Sequence, residues 1–141
     1  MLPHTAQQNA VDTIVYAWMQ CQDCLSRERD RVMLLGDSAV PRLRDILING
    51  PPPSHMESIQ KSLQYLVSHA DSGRVPSNTV VAAQLEAFRT MYRIRAASAL
   101  AGISNASAVS ALCAGVAPSA PGSTPQVAAS ARVAELGGSC P

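Results

Sequence analysis

Lysine is almost missing from this 141-residue chain: Lys61 is the single one among eleven basic residues. Charge of either sign is sparse, at 15% of residues, and ten acidic side chains leave a formal net charge of +1. That balance produces no broad field, so steering toward a phosphate backbone or an anionic membrane is excluded as an organising function, and nucleic acid is an unfavoured partner. Long apolar runs are absent, and nothing approaches the ~18 or more residues of a membrane span. Met1-Leu2-Pro3-His4 also lacks the basic start of a secretory signal. The expectation is a soluble protein, cytoplasmic by default and exported if a leader was removed. Period-two runs bounded by turns are missing too, which argues against strands. There is no Ser/His/Asp order, no phosphate-cradling glycine loop and no carboxylate pair at useful spacing, so no catalytic residue, no cofactor and no enzymatic activity is expected.

What the chain does have is apolar content, 47% of residues, much of it alanine. Small side chains suit helices packed close together, and the length fits one domain that buries roughly 68–70% of its unfolded surface. About seven helices are predicted. The first runs from Thr5 to about Cys24, with Val11, Ile14, Trp18, Cys21 and Leu25 as its apolar stripe. The second spans Ser26 to Leu35, with Val32 and Leu35 inward, and Gly36 ends it. Asp37 or Ser38 then caps a third, whose Val40, Leu43 and Ile46 or Leu47 face the core, and Asn49-Gly50-Pro51-Pro52-Pro53 stops it.

Ser54-His55-Met56-Glu57 reads as a capping box. It opens a fourth helix with Met56, Ile59, Leu63, Leu66 and Val67 as its buried face and an end near Gly73. From Thr79 the pattern Val81, Leu85, Phe88, Tyr92 runs on into a small-residue stretch ending at Ile103, a length that predicts a bend or break near Thr90 to Tyr92. A sixth helix from Ala106 buries Ala108 or Val109, Leu112 and Cys113. After a loop from Ala117 to Ser123, Thr124 and Pro125 begin the last helix, which Gly137-Gly138 closes.

Two pairs of segments repeat one another. Leu34–Leu43 parallels Ile103–Leu112, and Arg95–Ser104 (RAASALAGIS) lines up with Ala128–Gly137 (AASARVAELG). The stretch Tyr92 to Ile103, with the turn and Ser107 to Leu112 after it, resembles the HEAT-repeat proteins, in particular the short bacterial repeats related to phycobilisome-lyase units. The resemblance implies an all-α, right-handed α-solenoid of antiparallel helix pairs, a single domain over 1–141 that is irregular at 51–78 and ends in a short disordered tail, 138–141. Solenoid units stack because one alone cannot bury its apolar face. It also implies that Arg95 braces an adjacent turn, toward an aspartate or a carbonyl. A family of this kind binds partners along one face and fixes no activity. The expected function is therefore a non-enzymatic protein–protein interaction or scaffold module, acting through the solenoid face or an uncapped C-terminal end. That end also allows self-association.

Two alternatives stand beside this. Cys21-Gln22-Asp23-Cys24 could form a redox disulfide or half of a zinc site, although Cys113, Cys140, His4, His55 and His69 are too scattered to complete one, and Leu25 stands where c-type haem attachment requires histidine. The favoured reading keeps Cys21 as a small core residue, with Cys24 closing a local disulfide or lying in the turn. Cys113 is expected in the core and Cys140 exposed and mobile. The second alternative is a HEAT-type lyase or DNA-repair enzyme. For partner binding, Arg27, Arg29 and Arg31, joined by Arg42 and Arg44, could form an arginine-rich edge that grips a carboxylate or phosphate. Tyr16 is the freer aromatic candidate.

Overall fold

The computed structural model describes residues 6–22, 27–69, 78–116 and 123–140. Among the described residues there are seven α-helices and no strand: α1 (Ala6–Gln20), α2 (Arg27–Leu35), α3 (Val40–Asn49), α4 (Pro53–Ser68), α5 (Asn78–Ile103), α6 (Ala106–Val116) and α7 (Thr124–Glu135), with a 3-10 turn, Gly36–Ser38, before α3. The all-α class and the helix count match the sequence expectation. No helix among the described residues is long and apolar enough to cross a membrane. Cys24, Leu25, the expected cap Ser26, the end near Gly73 and the loop from Ala117 to Gly122 lie outside the described residues.

Several helix starts differ from the sequence reading, each for a local reason. Gly36, at φ +57°, releases the chain from α2, but neither Asp37 nor Ser38 caps α3. The cap position is Ala39, with no side-chain hydrogen bond, and the Asp37 carboxylate instead accepts from Asn105 Nδ2 at the entrance to α6. The Ser54–Glu57 capping box does not form. Pro52 is the cap and Pro53 the first helical residue, because a proline ring is already set for the first turn, where its missing N–H costs nothing. In α7 the cap is Ser123 rather than Thr124, its hydroxyl accepting from the Gln126 N–H. α5 runs from Asn78 to Ile103 without the expected break; neither glycine nor proline interrupts it before Gly102.

The core gathers at one end of the bundle. Leu43, Ile46, Leu47, Leu100, Leu112 and Tyr92 are fully buried, each aliphatic one contributing roughly 1.5–3 kcal/mol relative to exposure. α3 lies against α5 and α6, α7 against α5 and α6, and α1 and α2 pack on each other and on α5. Small residues make this possible. A Cβ on Gly115 of α6 would fall inside contact distance of Leu47 Cγ and Cδ2 on α3, so these two helices approach as closely as glycine permits. On α1 the buried residues are Val11, Val15 and Met19, while Ile14 and Trp18 are half-buried. The stripe is thus rotated from the expected one toward the i, i+4, i+8 row.

The segment after α7 is tied to the body. Cys113 on α6 and Cys140 form a disulfide, Leu136 and Cys140 pack against the core, and Gly138 N–H donates to the Val133 carbonyl at 3.1 Å. Cys140, expected exposed and mobile, is tied down, and Cys113 does more than fill the core: the two thiols meet only once α7 has folded back along α6.

α4 departs furthest from expectation. None of its residues is buried: Met56, Ile59, Leu63 and Val67 are half-covered, and Leu66 is exposed. Among the described elements its one extensive neighbour is α5, and there it meets a stretch, Thr79–Met91, in which no residue is buried either. α4 and the first half of α5 form an arm standing off the body. A single neighbouring helix cannot cover a five-residue apolar face.

Candidate functional site

The arm joins the body where α5 crosses the ends of α1 and α3. Helices end with carbonyls that lack intrahelical partners, and two arginines of α5 supply them. Arg95 Nη1 donates to the carbonyls of Trp18 (2.8 Å), Met19 (3.0 Å) and Cys21 (2.6 Å) at the end of α1. Its guanidinium lies 5.1 Å from the Trp18 ring, and Trp18 Nε1 donates back to the Arg95 carbonyl at 3.1 Å. Arg93, two residues earlier, points the other way and donates from Nε to the Leu47 carbonyl of α3 at 2.7 Å. Both place a cation at a helix C-terminus, where the macrodipole favours it. The bracing role that the resemblance implies for Arg95 is played here, toward carbonyls.

Beside this junction, His55 in the first turn of α4 faces α1 and α5. The Tyr92 hydroxyl lies 2.8 Å from His55 Nδ1, Gln20 Nε2 lies 3.3 Å from the same nitrogen, and the Tyr16 ring meets the imidazole edge-on at a centroid distance of 4.7 Å. Both contacts converge on Nδ1, and which partner donates is set by the imidazole tautomer. Burial holds the His55 pKa below the usual histidine range, which keeps the ring neutral. Burial likewise raises Tyr92, with Gln20 and Arg95 pulling the other way. It pushes Tyr16 up to about 12 against the opposing pull of Arg42.

From this cluster a cleft of about 550 Å³ opens between the end of α1, α4 and α5. Gln20, Gln22, Ser58 and Ser62 line it on the polar side and Ile59, Phe88 and Met91 on the apolar side. It continues along the arm into a hollow of about 250 Å³ between Ile59, Leu63, Gln84, Ala87 and Phe88. On the other side of α5 an open groove of about 680 Å³ runs past Ala83, Ala87, Thr90 and Ile94. Met91 lines all three, and its unbranched thioether adapts readily to different neighbours. Among the described residues no carboxylate lines the 550 Å³ cleft. What the arrangement offers is hydrogen bonding beside an adaptable apolar floor.

The arginines singled out from sequence do not form one edge. Arg42 is buried, with Nε and Nη2 on the Asp12 carboxylate at 2.8 and 3.0 Å and Nη1 on Asp45 at 3.3 Å. Burial is the largest single influence and works against its charge, but the Asp12 hydrogen bonds together with the charges of Tyr16, Asp12 and Asp45 hold the Arg42 pKa above the usual range. Arg42 is therefore a tie between α1 and α3 and is withdrawn from any surface. Arg29 is half-buried, its Nη2 donating to the Ser98 carbonyl of α5 at 3.0 Å. Arg27, Arg31 and Arg44 are exposed, and Arg44 lines a separate hollow against Ser107 and Ser110 of α6. Tyr16 is half-buried against His55 rather than free.

Cys21 is disulfide-bonded. Among the described residues no group of three or more His, Cys, Asp or Glu is placed to hold a metal ion.

Sequence reasoning missed His55, Ile59, Leu63, Phe88 and Met91 as site residues, taking the histidine as part of a capping segment too scattered from other ligands to matter and the rest as core or leaving them unassigned. The available signal was an amphipathic fourth helix in the segment where the repeat pattern lapses. No protein-family model, curated protein or solved structure matches the chain, so the HEAT resemblance stands on the sequence segments quoted above.

Proposed function

We propose that the protein is an interaction module that receives an amphipathic helix of a protein partner in the groove of the α4/α5 arm. The observation that carries this is α4 itself: sixteen residues with a clear apolar face and none of them buried. Exposed apolar surface of this extent is costly in an isolated domain and marks interaction sites, and grooves between helices accept a helix through anchors at i, i+3/i+4 and i+7. Incorporating a photo-crosslinking residue at Leu63 tests the reading, with Ser130, exposed on α7, as control. Discrete adducts from position 63 and none from position 130 are expected; equal labelling at both sites would refute the assignment.

The same reading includes a stacked arrangement of helix pairs, α1/α2, then α3 with the second half of α5, then α6/α7, with α4 inserted into the middle pair. Its support is that α3 packs on α6 and α5 on α7, pairing the two sets of segments that repeat in sequence. The thiol alternative keeps one favourable observation, since Cys21 is disulfide-bonded and lines the cleft. Reversible reduction under mild thiol, followed by intact mass after alkylation, tests it.

A further inference from the structure

We infer that the occupant of the arm is a second copy of this chain, with two α4/α5 arms packing face to face as a four-helix bundle about a two-fold axis. The inference rests on the interaction reading above and names its partner. Three features support it.

The first is the extent of the open surface. Leu66 and Val80 are 60% and 45% exposed, and they continue the half-covered row Ile59, Leu63 and Phe88 toward the tip. Two helices with an uncovered apolar face are half of an antiparallel bundle.

The second is charge. Among the described residues of the arm, the ionised groups pair within their own helices, Lys61 with Glu57 at 3.1 Å and Arg89 with Glu86 at 2.9 Å. The arm therefore sums to zero and carries no field to recruit a strongly acidic or basic partner. Self-pairing about a two-fold axis brings identical surfaces together, and a neutral arm meets its copy without like-charge repulsion.

The third is size. A sixteen-residue helix is about 24 Å long, and two helices about 9 Å apart give a face about 20 Å wide. Each copy then covers about 500 Å² and the pair about 1,000 Å², which just reaches the lower range of specific interfaces. An interface of this size suits a reversible dimer rather than a permanent one. Tyr92, buried in the body, sets the inner limit of the bundle.

The test is sedimentation velocity of the full chain from about 5 to 500 µM, alongside Leu66→Glu and Val80→Glu variants. Both residues are exposed in the single chain, so the variants retain the helical circular dichroism. A concentration-dependent dimer whose Kd rises at least 100-fold in each variant is the expected result. A dimer unaffected by both variants would place the contact elsewhere and overturn the inference. A monomer at 500 µM would also overturn it, and hydroxyl-radical oxidation of Met56 and Met91 then separates the two levels. Fast oxidation would leave the groove open for a different partner and preserve the interaction reading, whereas protection in a monomer would remove both.

Discussion

Arg42 and Arg44 sit two residues apart and were equal candidates for partner binding, yet the structure gives them opposite roles, and replacing each by methionine separates those roles. In Arg42→Met the Asp12 carboxylate, whose side chain is 13% exposed, loses both guanidinium bonds and keeps the amide of Gln8 at 2.8 Å. Removing one member of a buried pair costs about 3–5 kcal/mol, and the surviving Gln8 bond favours the lower end, about 3 kcal/mol. For a chain of this length that lowers Tm by roughly 10 °C. Arg44→Met, on the exposed side of the same helix, changes stability by no more than about 0.5 kcal/mol. The double variant Asp12→Asn/Arg42→Met removes the stranded charge, so it recovers most of the loss, and with Asp12→Asn alone it closes a cycle whose coupling is at least about 2 kcal/mol. Thermal and urea unfolding followed by circular dichroism measure all five chains. An Arg42→Met loss below about 1 kcal/mol, or one no larger than that of Arg44→Met, would refute the claim that this pair ties α1 to α3.

Three further expectations can be checked on the same instruments. The Cys113–Cys140 disulfide spans 27 residues of sequence. Closing a loop of that size stabilises by about 3.5 kcal/mol in the chain-entropy account, so Cys113→Ala/Cys140→Ala should lower the urea midpoint by roughly 2 M at a typical slope, and an unchanged midpoint would contradict it. Gly115→Ala should cost about 1–3 kcal/mol by overpacking against buried Leu47. Gly102→Ala should cost less, because the atoms its Cβ would meet belong to the flexible end of Met33. The lowered His55 pKa means that the unfolded chain takes up a proton before the folded one as pH falls through about 6.5. Stability therefore declines below that pH until the folded ring ionises, and above it His55 adds no pH dependence. His55→Gln should flatten this part of the stability profile, and a profile identical to that of the unaltered chain would count against the Tyr92–His55–Gln20 arrangement.

The body was legible because its signals are local or repeated. Val40, Leu43, Ile46 and Leu47 were read from helical spacing and are all buried in α3. The paralleled segments proved to be packed neighbours, α3 on α6 and α5 on α7. Arg95 was expected to brace an adjacent turn, and it holds the carbonyls at the end of α1.

What sequence could not supply was the set of neighbours. Met56, Ile59 and Leu63 have the same spacing whether a helix is covered on its apolar side or stands half open. Asp12 and Arg42 are thirty residues apart, and nothing in the sequence distinguishes Arg42 from Arg44 as the guanidinium that will be buried. Cys113 and Cys140 meet because α7 folds back, which is a tertiary fact. Ser54 and Ser123 show the same limit at short range: two residues fit for capping compete with adjacent prolines and threonines, and backbone geometry at the junction selects between them.

The unbroken course of α5 connects body and arm. Its second half is built of Ala96, Ala97, Ala99, Leu100 and Ala101, all buried, small enough for α3 and α7 to close around it. Its first half carries Leu85, Phe88 and Met91, large side chains with no such enclosure. A break at Thr90 to Tyr92 would have let these two compositions move independently. Because the helix is continuous, the direction of the arm is fixed by the contacts that seat the second half, chiefly Arg95 on the end of α1 and Arg93 on the end of α3. A partner meeting the arm therefore finds its face already oriented, and little of the binding free energy goes into ordering it. It follows that loosening Arg95 should weaken association through the arm without touching a residue of the groove's apolar floor.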